Sequence, residues 1–245
     1  MISVCIATYN GGKYIKEQLD SILPQLGTED EIVVSDDSST DNTLDILFSY
    51  ADSRIKVYPN QHFHSPVFNF ESALIRAKGD YIFLSDQDDI WESNKVQVML
   101  DALKRATLVV SDCSVIDKNM ELIKETFFQN KVRKKGVISN IICNNYLGCC
   151  MAFRREVLYK ALPFPKNIAM HDIWLGLCAS AFYSVEFISD KLIKYRRHGD
   201  NASPTGETSH LKISYRIIYR IQFVVALIRR MFPLSIYGKN LYVNK

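Results

Sequence analysis

Short apolar strand-like segments alternate with helix-like segments over the first hundred residues, and this alternation constrains the fold more than any other feature of the sequence. The strand-like segments are residues 3–8, 31–35, 55–58 and 80–85. Between them, apolar residues recur at three- and four-residue spacing, which is the helical period. This order predicts parallel βαβ units, and hence an α/β fold with a mostly parallel twisted sheet flanked by helices.

Length, charge and cysteine content narrow the function classes. The chain has 245 residues, enough for one large α/β domain with a cleft. Its formal net charge of +3 is too small to indicate a nucleic-acid-binding protein. The six cysteines form no Cys-x-x-Cys pair, so we expect buried free thiols and a reducing compartment. Since no basic leader or membrane-spanning apolar stretch is present, we expect a cytoplasmic protein.

Three polar clusters follow predicted strands at the sheet edge where α/β proteins bind ligands. They are Thr8-Tyr9-Asn10-Gly11-Gly12, Asp36-Asp37-Ser38-Ser39 and Asp86-Gln87-Asp88-Asp89. The second cluster alone is explained equally well as a helix N-cap, a role that Asp41 could also fill. Three clusters on one edge favour a binding site over capping.

The third cluster places three carboxylates within four residues, which repel one another unless a cation lies among them. Oxygen ligands without a neighbouring cysteine or histidine suit Mg²⁺ or Mn²⁺, which also takes substrate phosphate oxygens as ligands. The alternative is a solvated acidic turn before the next helix. No Gly-x-Gly-x-x-Gly or Walker lysine motif follows the first strand, which argues against a dinucleotide-dependent dehydrogenase.

These motifs resemble those of the family-2 glycosyltransferases of the GT-A fold, over about residues 2–201. The motifs that carry the resemblance are Thr8-Tyr9-Asn10, Asp36-Asp37-Ser38-Ser39, and Gly79-Asp80-Tyr81-Ile82 running into Asp86-Gln87-Asp88-Asp89. Three further segments are similar to a bacterial rhamnosyltransferase-type branch: Asp86-Gln87-Asp88-Asp89-Ile90-Trp91, His171-Asp172-Ile173-Trp174 and Tyr195-Arg196-Arg197-His198-Gly199-Asp200-Asn201. The resemblance implies a GT-A domain over residues 1–205, with a nucleotide-binding half (1–111) and an acceptor-binding half (112–205).

The resemblance also implies a role for each matching residue. The nucleotide-sugar donor is expected to contact Thr8, Tyr9, Asn10, Asp37, Asn69, Asp86 and Gly148. Among these, Tyr9 and Asp37 would hold the base, and Asp86 the ribose. Asp88 would ligate Mn²⁺ or Mg²⁺, and His198 would approach the same metal–diphosphate site. Asp172 would be the general base.

Asp172 also stands out without the resemblance, because it begins the helix-like segment 171–183. A helix N-terminus can keep a partly buried carboxylate ionised, as a general base requires. The alternative is an N-terminal helix carboxylate with no chemical role. Trp174 is a candidate wall of the acceptor site. Arg196 and Arg197 either serve the diphosphate or form a solvated basic pair.

The motifs together predict an inverting, metal-dependent glycosyltransferase with dTDP-rhamnose or a UDP-sugar as donor. The expected acceptor is a growing, lipid-linked surface polysaccharide. A sugar nucleotidylyltransferase is an alternative, although such enzymes usually need a glycine-rich basic phosphate loop where this chain has Tyr9-Asn10-Gly11-Gly12-Lys13. A non-catalytic sugar-binding or scaffold subunit is a second alternative, which would have no need of Asp88 or Asp172.

Residues 206–245 form a predicted basic tail. Between residues 210 and 231, apolar residues recur at helical spacing, with five basic residues and several aromatic residues among them. A basic, aromatic-rich amphipathic helix suits the plane of an anionic membrane surface. This predicts peripheral contact with the inner face of the cell membrane, and the alternative is packing against the enzyme body or another subunit.

Overall fold

The computed structural model describes residues 1–128, 133–199 and 213–232. Its strands, in chain order, are β1 (Ile2–Thr8), β2 (Glu31–Asp36), β3 (Ile55–Tyr58), β4 (Tyr81–Ser85), β5 (Ile90–Trp91), β6 (Leu108–Asp117), β7 (Leu122–Lys124), β8 (Met151–Arg154) and β9 (Val185–Arg197). Its helices are α1 (Ile15–Ile22), α2 (Thr43–Ser49), α3 (Pro66–Arg76), α4 (Lys95–Leu103), α5 (Val137–Ile142), α6 (Glu156–Ala161), α7 (His171–Phe182) and α8 (Ile213–Met231). Short 3₁₀ turns span Leu23–Gln25 and Gly148–Cys150.

The strands of the described residues form one sheet in the order β3-β2-β1-β4-β8-β6-β9-β5, and β7 pairs with β6. The first four strands in this order are parallel, as are β6 and β9. Strand β8 is antiparallel to both of its neighbours, and β5 is antiparallel to β9. The α/β fold class and the flanking helices expected from the sequence are confirmed.

The N-terminal half forms βαβ units in which β1 and β2 have apolar centres and are buried along nearly their whole length. Residues Val4, Ile6 and Val33 are fully buried, as expected for strands that helices cover on both faces. Helix α3 packs against β1 and β2, and its start at Pro66 follows the preference of proline for the first helical turn. The carboxyl ends of β1, β2 and β4 therefore lie at one edge of the sheet.

In the second half of the chain, one apolar segment is only partly a strand. Residues 147–153 are apolar and strand-like in pattern, but the strand begins only at Met151, and the 3₁₀ turn Gly148–Cys150 precedes it. All three residues of this turn are buried in the interior beneath the carboxyl ends of the strands. A buried turn and a buried strand have the same apolar composition, so hydrophobicity alone does not distinguish them.

Helix α8 lies within the predicted tail and packs against α7. Phe223 and Leu227 are buried in this contact, and Arg220 donates hydrogen bonds to the carbonyl oxygens of Ile141 and Ile142 at the end of α5. The predicted helix is thus present over Ile213–Met231, and one side of it packs on the enzyme body. The remaining tail positions, 206–212 and 233–245, lie outside the described residues, and the division at residue 205 stays a prediction.

Candidate active site

A pocket of about 430 Å³ opens at the carboxyl ends of β1, β2 and β4. Eight of the ten predicted site residues line it: Thr8, Tyr9, Asp37, Asn69, Asp86, Asp88, Gly148 and Asp172. His198 reaches the same place through its contact with Asp88. Asn10 lies outside the lining residues. The fold therefore brings residues from six separate segments of the sequence to one cavity, and His198 adds a seventh beside it.

Hydrogen bonds tie the first loop of the pocket to its neighbours. The Gln87 side-chain amide accepts from the Tyr9 backbone N–H at 2.9 Å and donates to the Tyr9 carbonyl at 3.1 Å. Asn10 accepts at Oδ1 from the Thr40 N–H at 2.8 Å, so its side chain joins the first loop to the second. These bonds hold the loop, while the Tyr9 side chain stays 56% exposed at the pocket rim.

Asp37 also lines the pocket, and its carboxylate binds the segment before α3. It accepts hydrogen bonds from the backbone N–H groups of Phe63 at 2.6 Å and Ser65 at 3.2 Å. Asp41 accepts from the N–H of Thr43 at the start of α2. The sequence did not decide which aspartate contacts the start of α2. Asp41 makes this contact, whereas Asp37 lines the pocket.

The acidic loop after β4 forms the floor of the pocket. Burial, together with the nearby carboxylates of Asp88 and Asp172, raises the pKa of Asp86 to about 8. Burial and the carboxylates of Asp88 and Asp86 raise the pKa of Asp89. Arg196 fixes this loop from β9, because its backbone N–H donates to Asp89 at 2.9 Å and its Nε donates to the Asp88 carbonyl at 2.9 Å.

Arg196 is buried at 2% exposure, packs over the ring of Tyr14, and forms an ion pair with Glu17. The sequence suggested that Arg196 either binds the diphosphate or is solvated, and these contacts give it a structural role instead. A guanidinium with several simultaneous hydrogen bonds is well suited to hold a buried loop.

The donor atoms around this loop fit a divalent cation. The Oδ2 of Asp88 lies 2.7 Å from the Nε2 of His198. Ligand atoms of Asp86, Asp89 and Cys149 also lie within 4.8 Å of one another. Like charges this close oppose ionisation of every carboxylate, and a bound cation removes that repulsion. Asp88 and His198 thus contact each other at the acidic loop, next to potential ligand atoms of Asp86, Asp89 and Cys149.

Asp172 lines the same pocket as the acidic loop and lies in the first turn of α7. Burial raises the pKa of its carboxyl to about 6, while hydrogen bonds from the backbone N–H groups of Ile173 and Gly148 act in the opposite direction. The N–H of Ile173 donates to Oδ1 at 2.7 Å. A buried carboxylate with a pKa just below neutrality is suited to accept a proton at neutral pH.

Residues 3–162 match the family described as "Glycosyl transferase family 2". This match covers more than half of the chain. The chain belongs to glycosyl transferase family 2. It is therefore a glycosyltransferase, as the motifs at the edge of the sheet predicted.

Two curated relatives illustrate the range within this family. The chain is 29% identical to the dTDP-rhamnosyl transferase RfbG of Shigella flexneri, over 86% of this chain and 77% of that protein. It is 27% identical to the UDP-Glc:alpha-D-GlcNAc-diphosphoundecaprenol beta-1,3-glucosyltransferase WfgD of Escherichia coli, over 72% of this chain and 68% of that protein.

Solved structures share the fold. Staphylococcus aureus TarS (residues 1–349), solved with UDP-GlcNAc, superposes with a TM-score of 0.66 at 20% identity, covering 96% of this chain and 73% of that one. The mannosyltransferase PcManGT of Pyrobaculum calidifontis, solved with GDP-Man and Mn²⁺, superposes with a TM-score of 0.60 at 19% identity, covering 97% and 65%.

Several pocket residues of this glycosyltransferase were not singled out by the sequence. The lining also includes His64, Phe70, Gln87, Met170, His171 and Tyr195. Gln87 and His171 lie inside recognised motifs and could have been found there, whereas Phe70 and Met170 have the pattern of ordinary core residues. Trp174 was a candidate acceptor wall, and this is wrong. It is fully buried, with its Nε1 donating to the Ala161 carbonyl at 2.9 Å.

Proposed function

We propose that this glycosyltransferase moves a sugar from a nucleoside diphosphate to a hydroxyl group of a growing, lipid-linked surface polysaccharide, with inversion at the anomeric carbon. One observation carries the proposal: the acidic loop at Asp86 and Asp88 and the carboxylate of Asp172 line the same pocket. A single displacement needs stabilisation of the leaving phosphate on one side and a base for the acceptor on the other. The pocket supplies both groups.

The donor is dTDP-rhamnose or a UDP-sugar. Tyr9 offers an exposed ring on which a pyrimidine can stack, and Asp37 retains acceptor capacity for a ring N–H beside its two backbone contacts. The buried amide of Asn69 donates to the Thr8 carbonyl, and its Oδ1 has no partner among the described residues. The names of RfbG and WfgD, with dTDP- and UDP-linked donors, support this range of nucleotides.

Asp88 and His198 would hold Mn²⁺ or Mg²⁺. When bound, the cation supplies positive charge to the diphosphate as the bond to the sugar breaks. The Mn²⁺ in the PcManGT structure is consistent with this role. Asp172 would then accept the acceptor hydroxyl's proton, and Asp86 would contact the ribose.

A thermal-shift experiment tests the donor. We expect a nucleotide-sugar such as dTDP-rhamnose, UDP-glucose or UDP-GlcNAc, supplied with Mn²⁺ at about 100 times its Kd, to stabilise the protein by ~2.7 kcal/mol. For a chain of this size, that corresponds to a rise in Tm of roughly 5–10 °C. Preference for nucleoside triphosphates would instead favour the nucleotidylyltransferase alternative, and the absence of any nucleotide response would favour the scaffold alternative.

We further propose that the enzyme acts in the cytoplasm at the inner face of the membrane, with α8 as the contact. Among the described residues, no helix is long and apolar enough to cross a bilayer. The outward face of α8 is nevertheless apolar: Ile217, Ile221, Val224 and Ile228 share one side of the helix and are 37–56% exposed. Arg216 and Arg229 are exposed beside this face, a combination suited to anionic lipid headgroups.

Vesicle co-sedimentation tests the α8 contact. We expect salt-sensitive binding to anionic vesicles, weakened about tenfold or more by the double substitution Ile217→Glu and Ile221→Glu, because two apolar side chains then cannot enter the interface. This variant is preferable to a truncation near residue 209, which would also uncover the surface that Phe223 covers.

The matched control for the vesicle experiment is Phe48→Glu together with Leu122→Glu. Both side chains are exposed, at 61% and 53%, and lie outside α8. We expect the control to bind anionic vesicles like the unmodified protein. Equal loss in both variants, or no binding by the unmodified protein at low salt, would contradict the membrane role of α8.

A further inference from the structure

His171 is the least satisfied polar side chain of the pocket. It is 5% exposed, and neither Nδ1 nor Nε2 has a hydrogen-bond partner among the described residues. A buried polar atom that leaves water without gaining a hydrogen-bond partner destabilises the folded state. The ring also lines the pocket, so the site of a missing partner is the space that a ligand fills.

The surroundings hold the His171 ring in one place. It stacks on Phe70 of α3, with ring centroids 4.1 Å apart and planes 23° from parallel. On the other side, a Cβ built at Gly148 would lie 3.2 Å from Nε2 and 3.5 Å from the Cβ of Asp172. Glycine at position 148 therefore keeps space open beside the imidazole. A ring packed against an aromatic neighbour loses little entropy when it binds a ligand.

The imidazole is neutral in this position. Burial lowers the pKa of His171 to about 3, so the ring carries no charge at neutral pH. A neutral imidazole has one donor and one acceptor nitrogen, which matches the hydroxyl groups of a sugar. A charged diphosphate would instead be matched by a cationic side chain.

We propose that His171 is a specificity-determining residue that hydrogen-bonds a hydroxyl group of the donor sugar. This inference rests on the proposed function. His171 precedes Asp172 in the chain, and the reacting carbon must lie between Asp172 and the acidic loop. The donor occupies the interior of the pocket, and the acceptor enters from its opening. A residue buried in the pocket wall, such as His171, therefore contacts the donor rather than the acceptor.

Two substitutions separate recognition from packing. His171→Phe keeps an aromatic ring of similar size against Phe70 and removes both nitrogens, so Tm should stay the same or rise. His171→Gln keeps a hydrogen-bonding group but loses the ring. We expect His171→Phe to lower kcat/KM for transfer about tenfold or more with the donor selected by thermal shift, and His171→Gln to recover part of this loss.

Free UDP and dTDP provide the control, because they lack the sugar. We expect His171→Phe to bind them within about twofold of the unmodified enzyme, while the additional affinity that the sugar provides is lost. We also expect one singly deoxygenated analogue of the donor to be turned over equally by the unmodified enzyme and by His171→Phe. That analogue lacks the hydroxyl group that His171 contacts, so the imidazole gives no advantage.

Three results would overturn this role for His171. They are unchanged kcat/KM in His171→Phe, an equal loss of affinity for free nucleoside diphosphates, and a series of deoxygenated donors in which none closes the difference. If the unmodified protein binds free UDP or dTDP but no nucleotide-sugar, the proposed function itself fails. Failure of the two ideas is thus distinguishable.

Discussion

Asp172→Asn should lower the rate of sugar transfer by on the order of 10²-fold or more, and this is one of the two largest effects we expect. An amide cannot accept the acceptor's proton, but it has the shape of the carboxylate and keeps an oxygen for the Ile173 N–H, which lies 2.7 Å from Oδ1. Donor binding and fold should therefore persist. Transfer kinetics, together with calorimetric binding of the nucleoside diphosphate, measure the two properties separately.

The pH dependence of kcat/KM provides a second readout of the same carboxylate. Burial raises the pKa of Asp172 to about 6, so the group is protonated below this pH and ionised above it. Activity should fall by about tenfold per pH unit below pH ~6. Stability has the opposite sign: a raised carboxyl pKa favours the folded state at low pH, and this contribution is lost as pH rises through about 6. Asp172→Asn should therefore be no less stable at neutral pH.

Asp190→Asn is the matched control for this experiment. Asp190 is an exposed aspartate in β9, so the same change of charge should leave transfer within about twofold. Near-normal transfer by Asp172→Asn would require a different base. A combined loss of donor binding and Tm would show that Asp172 is a structural residue.

Asp88→Asn is expected to abolish the effect of metal on nucleotide binding. Asp88 and His198 approach each other at 2.7 Å, and a neutral amide is a weaker ligand for a hard cation than a carboxylate. Nucleoside diphosphate binding with Mn²⁺ should weaken at least about tenfold, or ~1.4 kcal/mol. Binding without metal should not weaken, because the substitution removes a negative charge that repels the diphosphate. In the unmodified enzyme, a chelator should abolish transfer, and Mn²⁺ or Mg²⁺ should restore it.

Asp45→Asn serves as the control for the metal experiment, since Asp45 is exposed on α2 and outside the pocket lining. It should keep the full difference between binding with and without Mn²⁺. If calorimetry on the unmodified protein shows the same affinity in both conditions, the metal role of Asp88 is wrong.

The fold of the N-terminal half could be predicted from the sequence because its signals are local. Continuous apolar runs specify buried strands, and helical spacing specifies the segments between them. The start of α3 at Pro66 follows from one residue type. The turn at Gly148–Cys150 could not be predicted in this way, because its apolar residues carry no local signal that separates a buried turn from a buried strand.

The candidate site was partly predictable. The motif residues after β1, β2 and β4 could be placed together because parallel strands end at one edge. Asn10 and Arg196 show where this reasoning stops: both lie within motifs, yet Asn10 joins two loops and Arg196 lies buried under the acidic loop. In the sequence, a polar residue of a motif looks the same whether its side chain contacts a ligand or bonds to another part of the protein.

The sequence by itself determined the α/β class, the family, and the residues that converge on the sheet edge, since these depend on local periodicity and on strand ends. Only the tertiary structure decided which polar side chains are satisfied. Arg196 gains partners from the acidic loop and from α1, both more than a hundred residues away in the sequence, whereas His171 gains none among the described residues. Hydrogen-bond satisfaction depends on distances across the fold, and no local pattern in the sequence encodes them.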